Sequence, residues 1–229
     1  MSGFAQFRAV LGADLRREAR TGEALAPMLL FALVVLLVAG FAFNLPEMGP
    51  DDRRRVAPGI VWIAVAFATL VGQARALIAD REEERWNGLL LAPIDRSLLF
   101  AAKWLFGFLL GAALELLLVP LAAALFSLDL SGGRAPQLAA VLALCAAGLA
   151  ALGTLLGAVV ARLGRGEALL AILVLPAAAP LLIAGVAASG AVLAGQGLAG
   201  AAPWPEVALG ATAVYGAAGA ILFESVIVD

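Results

Sequence analysis

The chain has no histidine, and only one cysteine, one lysine and one tyrosine, in 229 residues. The missing histidines remove the commonest metal ligand and the side chain that most often serves as general base. One cysteine, Cys145, excludes a disulfide within the chain and the usual soft-metal sites. It lies in an apolar run and reads as a small buried residue. The sole lysine, Lys103, follows Phe100-Ala101-Ala102. A phosphate-cradling P-loop sets its lysine behind a glycine-rich turn, so this chain has no such nucleotide site. Charge is scarce as well. Charged residues make up 14% of the chain, against about 25% in soluble domains. The net charge of −2 leaves no basic footprint for nucleic acid.

What remains is apolar. Hydrophobic residues make up 63% of the chain and mean hydropathy is +1.02. A membrane-crossing helix needs about 20 apolar residues. Six stretches qualify: 23–45, 57–79, 97–128, 136–161, 168–192 and 207–223. The expected fold is all-α, a single polytopic membrane domain over 1–229. Residues 1–22 lack the form of a signal peptide. Phe4, Phe7, Leu11 and Leu15 lie near one helical face, with Arg8, Asp14, Arg16, Arg17, Glu18 and Arg20 on the others. That pattern predicts an amphipathic helix in the membrane interface.

The densest charged run is 79–103, ADREEERWNGLLLAPIDRSLLFAAK. Between two spans, such an island sits in water. Asp80 is the expected N-cap of a short helix over Arg81–Leu91, with Glu82, Glu83 and Glu84 in its first turn. Trp86, Leu89 and Leu90 recur at i, i+3, i+4 and give it an apolar face. Pro93 prevents its continuation. A solvated loop that only joins two spans explains the charges. It does not explain why Trp86, Leu89, Leu90 and Leu91 face water, which points to a partner's groove. The expected docking residues are Asp80, Arg81, Glu84, Arg85, Gly88, Leu89, Leu91, Pro93 and Arg96.

Lysine and arginine set orientation. With the N-terminus inside, eleven basic residues fall on the cytoplasmic side and four outside, Arg53, Arg54, Arg55 and Arg134. Both termini and the docking run are then cytoplasmic. The Arg53–Arg55 triplet is the exception.

Polar residues within spans mark functional positions. Glu115 falls about 18 Å of helix beyond Lys103 and is expected on a transmembrane path, at a subunit interface, or as a carboxyl satisfied by a neighbouring helix. Gln73 and Arg75 sit shallower, and Arg75 can snorkel to the inner interface. Pro176 and Pro180 are expected to interrupt and bend the fifth span, freeing carbonyls that line a cavity or find partners. Trp104 and Trp204 are expected to anchor the two interfaces. Gly107-x-x-x-Gly111 and Gly153-x-x-x-Gly157 permit close helix contact. No nucleophile–base pair exists, so catalysis by this chain is not expected. Its direct cofactors are expected to be none.

An interfacial helix, two spans, a cytoplasmic acidic-then-apolar segment ending in Ala-Pro, and four more spans together resemble the type-2 permeases of ABC exporters. Glu84-x3-Gly88-Leu89-Leu90-Leu91-Ala92-Pro93-x-Asp95-Arg96 is similar to the CcmB family, the haem exporter permeases of cytochrome c maturation. So are Leu175-Pro176-x3-Pro180-Leu181-Leu182-Ile183 and the Phe223-Glu224 ending. Asn87 departs from the acidic residue expected there. The resemblance implies an ABC-2-type permease fold and a homodimer on two copies of a separate ATP-binding subunit, which would bind and hydrolyse ATP. It also implies a haem-handling membrane partner and delivery of haem to a periplasmic chaperone. Carried over, Glu84, Gly88, Leu91, Pro93 and Arg96 contact the ATPase. Without histidine or a tryptophan-rich haem motif, this chain is expected to transmit movement and not to ligate haem iron. Two other readings stand beside this one: a general type-2 exporter permease for a lipid, drug or glycan, and a membrane scaffold or channel unrelated to ABC transporters.

Overall fold

The computed structural model describes residues 3–44, 47–82, 95–163 and 167–228. Among these the chain is helical, with no strand. The helices are α1 (Gly3–Thr21), α2 (Leu25–Ala42), α3 (Pro50–Glu82), α4 (Arg96–Leu125), α5 (Arg134–Leu163), α6 (Glu167–Leu193), the single turn α7 (Gly197–Gly200) and α8 (Trp204–Val228). All but α1 and α7 are long and apolar enough to cross a membrane, which gives six. This is an all-α polytopic membrane protein.

α5 lies at the centre of the bundle, touching α3, α4, α6 and α8. α2 is peripheral. It packs on α3 and α4 and turns Leu30, Val34, Val38 and Phe41 outward. Lipid is as apolar as these side chains, so burial alone does not hold such helices together. Close packing and interhelical hydrogen bonds do. At Gly185 of α6 a Cβ would stand 2.6 Å from the ring of Trp62 on α3. Glycine there lets the indole lie close against the helix. The buried Trp62 Nε1 then donates to Ser189 Oγ at 3.1 Å, one turn further on. Other side chains donate to backbone carbonyls of neighbouring helices, among them Trp104 Nε1 to Ala147 at 2.8 Å, Thr212 Oγ1 to Leu144 at 3.2 Å, and the Tyr215 hydroxyl to Ala177.

Two expectations are corrected. Asp80 does not cap a separate helix, because α3 continues unbroken through it to Glu82. Nothing from Ala74 to Glu82 is a helix breaker, so no cap is needed. Pro176 and Pro180 do not interrupt the fifth span, since α6 is helical through both. Side chains of neighbouring helices donate to carbonyls just after each proline, Tyr215 to Ala177 and Cys145 Sγ to Leu181 (3.7 Å), and tie α6 to α8 and α5 there. Trp104 is half-buried and held from two sides. Its ring packs on Phe100 with centroids 5.9 Å apart, and the Ala147 carbonyl takes its N–H.

α1 packs on the bundle through only part of the apolar face read in the sequence. Phe4 and Leu15 are exposed, whereas Val10 and Asp14 are buried. Phe7, Val10 and Leu11 pack with Leu99, Phe100 and Ala102 of α4 and with Phe223 of α8. The α1–α2 corner turns at Gly22, whose φ of +64° suits glycine. Its N–H donates to the Glu18 carbonyl at 2.8 Å. The Glu18 carboxylate then accepts from the N–H groups of Ala24 and Leu25, at 3.2 and 2.7 Å, and so caps α2. Arg17 and Glu23 pair across the same corner at 2.7 Å.

Candidate functional site

The expected docking residues Glu84, Arg85, Gly88, Leu89, Leu91 and Pro93 lie outside the described residues. So do the side chains of Arg75, Asp80 and Arg81, although their backbones belong to α3. What the structure describes is the frame on both sides of that segment. α3 leads into it, ending at Glu82. α4 leads out of it with a defined cap: the Asp95 carboxylate accepts from the Ser97 N–H at 2.8 Å, and Arg96 is the first helical residue.

Two turns into α4 that helix is tied to α1. Lys103 Nζ donates to Asp14 Oδ2 at 2.8 Å, with the side chains 5% and 7% exposed. An ammonium that deep needs a carboxylate, because an unpaired buried charge is costly. Both residues make further interactions as well. Beside the pair is a cavity of about 40 Å³ lined by α1, the α1–α2 corner, α3, α4 and α5, including Glu18, Gln73, Lys103, Gly107 and Thr154. Gln73 is 5% exposed, and neither of its amide atoms has a hydrogen-bond partner among the described residues. Glycines hold the space for it. A Cβ on Gly153 would fall 1.4 Å from Gln73 Oε1, and one on Gly107 would fall 3.3 Å from Nε2. The small-residue pattern around Gly107 and Gly111 thus serves packing of α4 on α3 and α5, with a Cβ on Gly111 meeting Ala146 at 3.6 Å.

Glu115 is three turns beyond Lys103 on α4. It is 5% exposed within the single chain, and its Oε1 has no partner among the described residues. It does not line the Gln73 cavity. Pro176 and Pro180 sit on α6 and do not line that cavity either. The cavity therefore brings Gln73 to α4 beside Lys103 and Gly107 and does not include Glu115, Pro176 or Pro180. Among the described residues no three histidine, cysteine or carboxylate side chains gather as a metal site.

The sequence reading misses Asp14, which it places on a polar face. A signal exists in the chain: an acid three and four residues from Leu11 and Val10, with a single lysine available to pair with it. A second polar feature lies at the opposite end of the bundle. There the first turns of α3 and the end of α6 border a cavity of about 460 Å³ that includes Arg54, Arg55 and Trp204.

The comparisons with known proteins agree with one another. The chain is 32% identical over 192 residues to heme exporter protein B of Bradyrhizobium diazoefficiens, covering 82% of each protein. It is 34% identical over 196 residues to the protein of the same name from Paracoccus denitrificans, covering 86% of this chain and 85% of the relative. The counterpart from Pseudomonas aeruginosa is 34% identical over 197 residues, 83% of this chain and 85% of its own length. The family model described as CcmB protein matches residues 5–217, and the chain belongs to the CcmB family.

Proposed function

We propose that this chain is the membrane permease component of an ABC transporter complex that acts in haem export and delivery for c-type cytochrome biogenesis. The observation that carries this reading is the similarity to proteins named heme exporter protein B over more than four-fifths of the chain. The ATP is bound and hydrolysed by a separate subunit, since this sequence has no P-loop lysine. The segment from Asp80 to Arg96 seats in that subunit. Its movement passes through the Asp95 cap into α4 and, by the Lys103–Asp14 pair, into α1.

In this reading the permease is a homodimer in the inner membrane, with both termini cytoplasmic. The eleven-to-four distribution of basic residues favours that orientation. Haem is the ligand handled by the complex, and a haem-handling membrane partner supplies the iron ligands that a chain without histidine lacks. Glu115, Gln73 and Arg75 on α4 and α3, with Pro176 and Pro180 on α6, are the positions proposed for a transmembrane path or subunit contact.

Affinity purification of the full chain from its native membrane tests this. An ATP-binding subunit and cytochrome-c-maturation membrane proteins should co-purify. Gly88→Glu with Leu90→Asp should remove the ATP-binding subunit and leave the membrane partners. Association of the ATPase unaffected by that change overturns the docking role. Purification without any cytochrome-c-maturation partner overturns the assignment to haem delivery.

A further inference from the structure

The run Arg53-Arg54-Arg55 is in an unfavourable place on two counts. It occupies the start of α3, which begins at Pro50, and the positive end of a helix dipole disfavours cations. In the proposed orientation it also lies on the outer face, where lysine and arginine are depleted. The chain itself compensates only part of this. Arg54 pairs with Asp51 at 3.2 Å. Arg53 Nη1 donates to the Phe126 carbonyl at 3.4 Å, while its buried Nε has no partner among the described residues. Arg55 is exposed and has no ion pair among the described residues.

Arg54 and Arg55 border the cavity of about 460 Å³ at this end of the bundle. The facing wall is α6, which contributes Ala187, Gly190 and Ala191, and Ala194 follows just beyond its end. At spacing i, i+3, i+4, i+7 these form one face of small residues, a flat apolar floor. A Cβ on Gly190 would meet nothing within 4 Å, so the floor is open. Trp204 closes one side, as an indole does at headgroup level. A guanidinium is the side chain best suited to grip carboxylate or phosphate in a bidentate manner.

We propose that this cavity binds the acidic end of an amphiphile, with its anion on Arg54 and Arg55 and its apolar part on the α6 floor. Two sources share that chemistry: the propionates of haem, which rests on the function proposed above, and the headgroup of an anionic phospholipid.

The test uses the full chain in phosphatidylcholine nanodiscs, titrated with haemin and separately with haemin dimethyl ester, whose carboxylates are masked. Haemin should bind about ten-fold or more tightly than the ester, and Arg55→Gln should remove that advantage. Gly190→Leu should block binding while leaving thermal unfolding unchanged, because the added side chain meets open space. In a second arm, nanodiscs containing phosphatidylglycerol are examined by native mass spectrometry for retained anionic lipid. Sensitivity of either arm to both variants supports the site and identifies the source. Indifference of both arms to Arg55→Gln and Gly190→Leu overturns it. Both variants should still co-purify with the ATP-binding subunit, so failure here leaves the permease reading standing, and loss of that partner from the parent chain sinks the permease reading alone.

Discussion

Lys103 of α4 and Asp14 of α1 meet at 2.8 Å in a place from which solvent is nearly excluded. They join the only lysine in the chain to the one strongly buried acid of the N-terminal helix. Breaking such a pair from one side leaves a charge with no solvent, which costs about 3–5 kcal/mol. Lys103→Met or Asp14→Leu alone should therefore lower the thermal midpoint in detergent sharply. The combined variant should recover much of the loss, since an apolar pair of similar volume often replaces a buried ion pair at little cost. Both residues have other interactions, so the coupling is read from the full double-mutant cycle. Additive losses would show that the two charges do not depend on each other.

Gly185 and Trp62 make the second prediction. A Cβ at 185 would lie within 3 Å of three indole carbons, and the ring is held by Ser189 and full burial. Gly185→Ala should destabilise by about 1–3 kcal/mol, the usual cost of overpacking. Adding Trp62→Leu should make the alanine tolerable. A thermal midpoint unmoved by Gly185→Ala would contradict the close α3–α6 approach.

Glu115 offers a separation of fold from function. Its Oε1 lacks a partner among the described residues, so Glu115→Gln removes no contact of that oxygen and preserves shape. Thermal stability should stay within about 0.5 kcal/mol or rise. Cytochrome c maturation in a strain dependent on the variant should fall if the carboxyl serves a transmembrane path. Maturation at the parental level would remove Glu115 from the proposed path.

The turn between α4 and α5 titrates predictably. Hydrogen bonds from the Ser131 side chain and N–H, with Arg134 alongside, lower the Asp129 pKa to about 2. A depressed carboxylate contributes to order above its unfolded value and loses that contribution as pH falls through the folded one. The turn should thus hold at pH 4 and loosen towards pH 2. The carboxyl ¹³C shift of Asp129 should titrate near 2 in the parent and nearer 3.8 in Ser131→Ala with Arg134→Gln. Equal midpoints in the two proteins would refute the assigned cause.

The helices are legible in the sequence because a bilayer admits only segments whose backbone groups are satisfied internally, and long apolar runs announce these directly. Their ends are less so. Hydropathy places the third span over 97–128, yet α4 runs Arg96–Leu125. It starts the second at 57, but α3 begins at Pro50, because Asp51 and Asp52 suit the positive end of its dipole. Asp80 resembles a cap because it precedes three glutamates. Capping preference is local, and it does not apply when the preceding helix already satisfies the backbone.

From residue types and their local order came the solvent this protein lives in, the number of its long helices, the lack of a P-loop lysine, and the resemblance to its family. The linear chain carries all of that in full. Only the folded bundle decided that Asp14 faces Lys103, 89 positions away in sequence. The same holds for the space two glycines leave to Gln73, and for the floor that faces Arg54 and Arg55. Those pairings depend on which faces of separate helices turn toward each other. In lipid that choice is made by packing fit and a few polar contacts, and hydropathy, which is nearly uniform around these helices, carries no information about it.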